Sequence, residues 1–465
     1  MSSSRVRPGT AEVFPAWPLC MQALNASLRL VLGGAALVAV AGVIAFVLGR
    51  HPLSLAAAVG LGLGLLAILA LVLASFHAAV GLGVLLLAVV RIEPAPADAV
   101  FAAVIAVALL TGRFDFRRVP PIVFGLAGAF LALNLFASIE MIDVRRGTLF
   151  FAITLYLVIF AVWLAGYVRS PGRARLVLRF YLLAAIGSAA VALLALFVAF
   201  PGHETFVFAG DRAQGLFKDP VVFGPFLIPA ALILVEEIAK PRLIGWSVMW
   251  KTLALVVLAL GVVLSYSRAA WLSLALGLVT VLLVLALRRG GGRRALVVLS
   301  VLLFALATIA SALVLTGSTG FLQQRAHLQS YDVERFSAQA LGIREGERYP
   351  FGIGPGQFDV VSTVSAHSTY VRAFAEEGLP GLLTLLVLIF ATLLFAVRNV
   401  LRGVDTYGIG SAALLGSWLG LVANSLFVDT LHWRHLWLVA ALIWAGSMRV
   451  GRDYASSSTR SRVVR

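Results

Sequence analysis

The chain has 465 residues, of which 61% are hydrophobic and 12% charged, and its mean hydropathy is +1.00. Water-soluble globular domains of this size do not have such a composition, so the sequence predicts a polytopic membrane protein of the all-α class. The formal charge of +16 could suggest a nucleic-acid-binding protein. However, the basic residues lie in short clusters between apolar runs, as topological anchors do, and we expect no nucleic-acid partner. The single cysteine, Cys20, excludes an intramolecular disulfide and a multi-cysteine metal site.

Apolar runs long enough to cross a bilayer predict about 14 transmembrane helices, within a range of roughly 12 to 14. The second hairpin is the least distinct, because the apolar run 53–90 has only Ser75, Phe76 and His77 as a polar break. The expected spans centre on 30–48, 53–73, 77–92, 98–112, 119–138, 148–168, 176–200, 220–239, 248–265, 270–287, 295–316, 378–397, 408–427 and 434–448.

The distribution of arginine predicts the orientation of these spans, because short cytoplasmic loops carry an excess of basic residues. Residues 1–29 contain Arg5 and Arg7 but lack the features of a cleaved signal, so we interpret them as a cytoplasmic lead-in. Both termini are then cytoplasmic. A single transmembrane domain covers 30–449, one large external loop covers 317–377, and 450–465 form a disordered cytoplasmic tail. Arg145 and Arg146 are the clearest exception, since they fall in an expected outer loop.

The external loop is expected to contain short amphipathic helices. Its stretch 331–343 places Val333, Phe336, Ala340 and Ile343 at helical spacings, which predicts a short helix lying on the membrane surface. The glycine-rich stretch 350–356 predicts a tight turn. The stretch 367–377 has Tyr370, Phe374 and Gly378 on a helical spacing and leads into the next span.

Three polar features fall on the predicted outer side. Arg268, in Ser265-Tyr266-Ser267-Arg268, ends an apolar span. An arginine at membrane depth either snorkels to the interface or lines a wet cavity. The hydroxyls of Ser265 and Ser267 favour the cavity, because hydroxyls and a guanidinium together can surround phosphate oxygens.

Arg212 lies in an outer loop just before an apolar span that opens at Pro220. The simple interpretation is a surface ion pair with Asp211 or Asp219, which contributes little stability. The positive end of a helix opening at Pro220 would favour an anion near Arg212 instead.

His367 opens the helix that precedes the next span. A lone histidine is usually structural or solvated, but a neutral imidazole beside a cationic site could accept a proton from a hydroxyl. Asp429, His432 and His435 form a second outer cluster. A metal site there is disfavoured because the ligands are few and Arg434 lies among them.

Taken together, four motifs resemble the O-antigen ligase and polymerase superfamily. They are Arg-x-x-Gly-x-Phe-x-Asp-Pro at 212–220, Ser-x-Ser-Arg at 265–268, Pro-x-Gly-x-Gly-x-Gly-x-Phe at 350–358, and a final motif comprising His367, Tyr370, Glu376, Gly378 and Gly381. The specific part covers about 212–437. The chain departs from the family pattern at Ser368 and Val221, where the family often has asparagine.

The resemblance implies an integral-membrane glycosyltransferase of the bacterial cytoplasmic (inner) membrane, with its active site facing the periplasm or exterior. Its donor would be a glycan linked to undecaprenyl diphosphate and its acceptor a hydroxyl of a lipid or saccharide, such as lipid A-core. The reaction would invert the anomeric carbon and need no metal or other cofactor. Carried over to this sequence, Arg212 and Arg268 would bind the diphosphate, and His367 would activate or position the acceptor hydroxyl. Ser265, Ser267 and Tyr370 are further expected substrate-binding residues.

Three alternatives remain open at this point. A polymerase that joins lipid-linked repeat units would share the donor, the cavity and the cations of a ligase. A transferase acting on protein is disfavoured because such relatives tend to carry a further soluble domain. A flippase or transporter of lipid-linked glycan is disfavoured because its ionisable groups would be expected near the bilayer midplane, whereas the arginines here lie near the ends of spans.

Overall fold

A computed structural model describes residues 55–463 of the chain, except 92–93, 210, 289–290, 316–319 and 321–329. The expected lead-in 1–29 and the first expected span at 30–48 lie outside the described residues. Within these residues the protein is almost entirely helical, which confirms the predicted all-α class, and the only sheet pairs β1 (Val207–Phe208) antiparallel to β2 (Arg212–Ala213).

The described residues form fifteen α-helices. They are α1 (Leu55–Ala74), α2 (Phe76–Leu85), α3 (Pro96–Leu110), α4 (Pro121–Ala137), α5 (Val144–Tyr167), α6 (Pro171–Phe197), α7 (Pro220–Ala239), α8 (Val248–Leu264), α9 (Arg268–Leu287), α10 (Gly291–Leu315), α11 (Ser330–Arg348), α12 (Phe358–Val361), α13 (Thr369–Leu401), α14 (Ser411–Asn424) and α15 (Arg434–Val463). Short 3-10 turns are Leu86–Ala88, Phe116–Arg118, Ser138–Glu140 and His203–Phe206.

Several features predicted from the sequence can be compared with these helices. By length and composition, six of the described helices could cross a membrane, namely α4 with its 3-10 extension, α5, α6, α7, α9 and α13. The polar break at Ser75 separates α1 from α2, as expected. The predicted helix at 331–343 is the longer α11. The last helix continues to Val463, past the end at 449 that we expected for the domain.

Charged side chains gather at two ends of the helical bundle. One end lies away from the predicted site residues, and we call it the opposite end. There the buried carboxylate of Glu236 lies 3.6 Å from Arg242 and 3.5 Å from Arg288, and Lys251 lies 3.4 Å from Glu237. Low-dielectric surroundings make an unpaired charge costly, so these pairs fix the helix ends that carry them.

The other end, the site end, contains Arg212, Arg268, the glycine-rich turn 350–356 and the start of α13. The loop before α5 also belongs there, since Arg146 lies 2.7 Å from Asp359. Arg146, one of the two arginines that did not fit the predicted topology, thus has an acidic partner in the large loop.

A break in α13 positions the glycine-rich turn. Gly378 has φ 67° and ψ −171°, a conformation open essentially to glycine, so the helical spacing that we extended to Gly378 was wrong at that residue. The break frees carbonyl groups of the first helical segment. The N–H of Ile353 donates to the oxygen of Ala375 at 2.9 Å, and the N–H of Gly354 donates to that of Glu376 at 2.9 Å.

The exchange of hydrogen bonds is reciprocal. The N–H of Leu379, which would have bonded the carbonyl of Ala375 in a continuous helix, donates instead to the oxygen of Pro350 at 3.2 Å. Pro380 has no N–H to donate. The turn therefore replaces the missing helical partners, and the first two turns of α13 are bonded to the loop that precedes them.

Arg372 joins four segments around this first part of α13. Its buried guanidinium lies 3.1 Å from Glu376, 2.8 Å from Asp359 and 2.9 Å from Asp429, and it donates to the Ser365 hydroxyl at 2.9 Å. Glu376 in turn accepts the backbone N–H groups of Gly356 at 2.8 Å and Phe358 at 3.1 Å. One cation thus holds the glycine-rich turn, the loop before α13 and the loop before α15.

Gly378→Ala should destabilise the protein more than an ordinary substitution of a glycine with positive φ. The backbone strain at this conformation is about 1–3 kcal/mol, and a Cβ at this position would also overlap the carbonyl oxygen of Pro350. Gly403→Ala is the matched control, because Gly403 has φ 62° with open space around its Cβ position. The thermal unfolding midpoint in detergent should fall further for Gly378→Ala, and equal falls would show that the close approach to Pro350 is unimportant.

Arg372→Met should lower the free energy of unfolding by about 3–5 kcal/mol, because it leaves three carboxylates around a buried space without their cation. Arg398→Met, which removes an exposed arginine from the same helix, is the control. Thermal unfolding in the same detergent measures both. A loss no larger than that of the control would mean that the ion pairs of Arg372 do not hold these loops together.

Candidate functional site

Arg212 is held in place by a short hairpin and by a neighbouring turn. In the β1–β2 pair, Arg212 lies opposite Phe208, and its guanidinium lies 5.6 Å from the centre of the Phe208 ring. Its Nε donates to the backbone oxygen of Ser265 at 3.0 Å. The side chain is buried, so this contact ties the loop before α7 to the turn before α9.

The turn 265–268 is shaped by its two serines. The Ser265 hydroxyl donates to the oxygen of Val262 at 2.7 Å and accepts the N–H of Ser267 at 3.3 Å. The Ser267 hydroxyl accepts the N–H of Ala270 at 3.3 Å and so caps α9. We expected both hydroxyls to bind substrate. In this structure both hydrogen-bond to the protein backbone, and they position Arg268 as the first residue of α9.

Arg268 forms an ion pair with a residue that the sequence did not single out. Its Nη2 lies 2.6 Å from Oδ1 and 2.7 Å from Oδ2 of Asp332, in the first turn of α11. The side chain of Arg268 is 32% exposed and that of Asp332 is 7% exposed. Helix α11 of the large loop thus contacts Arg268, one of the two arginines predicted to bind phosphate.

The same face of α11 leads to His367. Asp332, Arg335 and Gln339 are three and four residues apart and therefore share that face. Gln339 Nε2 donates to the backbone oxygen of His367 at 3.3 Å. Contacts therefore run without a gap from Arg212 through the turn 265–268 and α11 to His367.

The backbone on both sides of His367 is fixed. Two residues before it, the Ser365 hydroxyl accepts from Arg372. After it, Ser368 caps α13 and the N–H of Thr369 donates to the oxygen of Ser425 at 2.9 Å. His367 itself has φ 47°, a left-handed conformation that is unusual outside glycine. Such strain persists only where the surroundings impose it, and it occurs often at functional sites.

The electrostatic surroundings of His367 favour its neutral form. Burial lowers the pKa of its imidazole below the ordinary value of 6.5, and Arg335 and Arg372 lower it further. Asp219 and Asp359 act in the opposite direction. Asp219 also caps α7, accepting the N–H of Val221 at 2.7 Å, so the loop that carries Arg212 lies close enough to influence this histidine.

Tyr370 and the second outer cluster, of Asp429, His432 and His435, contact other parts of the protein. The Tyr370 hydroxyl donates to the backbone oxygen of Val422 at 2.9 Å, which joins α13 to α14. His432 contacts the Thr154 hydroxyl at 3.0 Å, and His435 is buried. Asp429, their expected companion, pairs with Arg372. Among the described residues, these side chains do not converge on one point as ligands of a metal would.

Sequence reasoning missed Asp332, Arg335 and Arg372. The helical pattern that predicted α11 could have drawn attention to the first two, because Asp332 and Arg335 lie on one face of it. No comparable signal marked Arg372.

Comparison with known proteins identifies one part of the chain. Residues 253–386 match the family model described as O-Antigen ligase. No curated protein matches the chain. The matched region contains the turn 265–268, α11, His367 and the break at Gly378. Arg212 precedes it and is joined to it by the hydrogen bond to Ser265. This match confirms the resemblance to the O-antigen ligase superfamily that was seen in the motifs, and together with the long apolar helices it points to a multi-pass membrane protein.

Proposed function

We propose that the protein is an O-antigen ligase-like glycosyltransferase. It transfers a glycan from undecaprenyl diphosphate to a hydroxyl of an acceptor such as lipid A-core, at the external face of the cytoplasmic membrane. The proposal rests above all on the continuous set of contacts that gathers Arg212, Arg268 and His367 at one end of the bundle.

The two arginines suit the leaving group. As the glycosidic bond breaks, negative charge develops on the diphosphate, and guanidinium groups held in fixed positions can stabilise that charge. Arg268 is partly exposed and can reach a ligand above the bundle, whereas Arg212 is buried and fixes the turn beside it. In this proposal no metal is needed, because the cations come from the protein.

His367 suits the acceptor. Its neutral imidazole accepts the proton of the acceptor hydroxyl while the hydroxyl oxygen attacks the anomeric carbon. The bond from that carbon to the phosphate oxygen breaks, and undecaprenyl diphosphate leaves with the electron pair. A single displacement of this kind inverts the anomeric configuration.

The first test is transfer by the purified full-length protein in lipid nanodiscs, with undecaprenyl diphosphate-linked glycan as donor and lipid A-core as acceptor. Arg268→Ala should reduce the rate by about 100-fold or more, and His367→Ala by about 100-fold or more. Arg402→Ala, an exposed arginine after α13, is the control and should keep the wild-type rate. Full activity of either site variant would remove that residue from the mechanism.

The products of the same assay separate a ligase from a polymerase. A ligase joins glycan to an acceptor that has no diphosphate. Elongation of the lipid-linked donor, with lipid A-core left unmodified, would identify a polymerase instead. Movement of donor across the membrane of reconstituted vesicles, without any glycosyl transfer, would contradict both.

The rate should depend on pH through His367. Because its pKa is lowered, the acidic limb of kcat/KM against pH should lie below pH 6.5. Arg335→Gln removes a cation that lowers this pKa, so the limb should move to higher pH. Arg344→Gln removes the same charge from the opposite face of α11 and should leave the limb in place. A limb that stays fixed in Arg335→Gln would show that this arginine does not act on the titrating group.

A further inference from the structure

The partner of Arg268 in this structure is a carboxylate. One guanidinium nitrogen contacts both oxygens of Asp332, at 2.6 and 2.7 Å. Carboxylates and phosphates are alternative partners of a guanidinium, which binds either through paired oxygens. If Arg268 binds the donor diphosphate, Asp332 and the diphosphate compete for the same donor groups.

The position of Asp332 makes this competition strong. The carboxylate is 7% exposed, so it is poorly solvated and depends on its cation. It also lies on a helix that is docked independently of Arg268. Toward the C-terminal end of α11, Gly342 packs against Val371 and Gly346 against Phe374, so closely that a Cβ at either glycine would overlap its neighbour. These contacts hold the helix against α13, and they keep Asp332 near Arg268.

The N-terminal turn of α11 is attached differently. Asp332, in this turn, forms the ion pair with Arg268. Two turns along, the contact of Gln339 with the His367 oxygen is longer, at 3.3 Å. A ligand that replaces Asp332 at Arg268 therefore changes the anchoring of this turn while the glycine contacts of the other end persist.

We infer that Asp332 determines the affinity of the site for the donor diphosphate by occupying Arg268 until the donor displaces it. The inference rests on the proposed function, since it concerns the same site. A resident carboxylate multiplies the apparent affinity for every anion by the fraction of protein in which Asp332 does not occupy Arg268. Because the same factor applies to every anion, a weakly bound anion such as free phosphate no longer occupies the site, whereas a donor that also binds through its lipid and its glycan still does.

The same exchange acts after transfer. Undecaprenyl diphosphate, the product, must leave Arg268 before the next donor binds. Return of Asp332 to Arg268 replaces the ion pair that the product loses, and this favours release. Product release limits the turnover of many enzymes. Asp332 therefore contributes at two stages, as a selector of the donor and as a competitor of the product.

The test compares Asp332→Asn with Glu334→Gln, which removes an exposed carboxylate from the same helix. Inorganic pyrophosphate is titrated into the full-length protein in nanodiscs. Asp332→Asn should bind pyrophosphate about tenfold more tightly than wild type, and Glu334→Gln should bind it as wild type does. In the double variant Asp332→Asn, Arg268→Ala the gain should disappear. Unchanged or weaker binding by Asp332→Asn would overturn the inference, because it would mean that Asp332 only holds Arg268 in place.

A second measurement uses a variant that retains the carboxylate of Asp332. Spin labels at Glu334→Cys in α11 and Leu272→Cys in α9, with Cys20→Ser, report the distance between the two helices. Addition of pyrophosphate should change the distance distribution, and an unchanged distribution would contradict displacement of Asp332.

Transfer assays separate this inference from the proposed function. If wild type transfers glycan, Asp332→Asn should show a lower KM for the donor and stronger inhibition by undecaprenyl diphosphate, and a raised KM would overturn the inference alone. If wild type transfers no glycan to any acceptor, the proposed function fails, and the pyrophosphate titration alone decides whether Asp332 competes with anions at Arg268.

Discussion

The structure depends on how charged side chains are accommodated in a bundle of largely apolar helices. A charged side chain in such surroundings is tolerated where it meets an opposite charge or a wet cavity. The described ion pairs follow this constraint. At the opposite end they join Glu236 and Glu237 to basic partners, and at the site end they join Arg372 to three carboxylates. These described ion pairs therefore lie at the two ends of the bundle.

The site end combines two kinds of pairing. The pairs of Arg372 are buried, numerous and shared among loops, so they fix the backbone before α13. In the pair of Arg268 with Asp332, the arginine side chain is partly exposed. The exchange proposed at Arg268 would leave the framework held by Arg372 unchanged. The strained backbone of His367 lies on the fixed side of this division.

Much of the fold could be predicted from local sequence patterns, which involve residues close together in the chain. Apolar runs, the break at Ser75 and the glycine-rich stretch 350–356 all predicted features that the structure contains. The spacing in 367–377 predicted the start of α13 but not the break at Gly378, because the conformation of that glycine depends on a close approach to Pro350. Helix α11 ends at Arg348 rather than at 343, and Gly346 in this added part packs against Phe374 of α13.

The sequence pointed to Arg212, Arg268 and His367, and the structure joins them in one set of contacts, while their roles stay predictions. The pairing of Arg268 with Asp332 spans 64 positions in sequence and could not be read from local pattern. Ser265, Ser267 and Tyr370 illustrate the reverse difficulty. Their hydroxyls hydrogen-bond to backbone groups, which the sequence did not indicate, and their contact with substrate stays a prediction.

The break at Gly378 has a mechanical consequence. A continuous helix would transmit any tilt of its membrane-embedded part to its end, and helices do tilt when bilayer thickness changes. In α13 the two segments meet at a glycine, and the carbonyls at the junction are bonded to the glycine-rich turn. The longer segment can therefore change its tilt while the first segment keeps its attachment to the loops. The junction thus separates the orientation of the candidate site from that of the apolar segment that follows it.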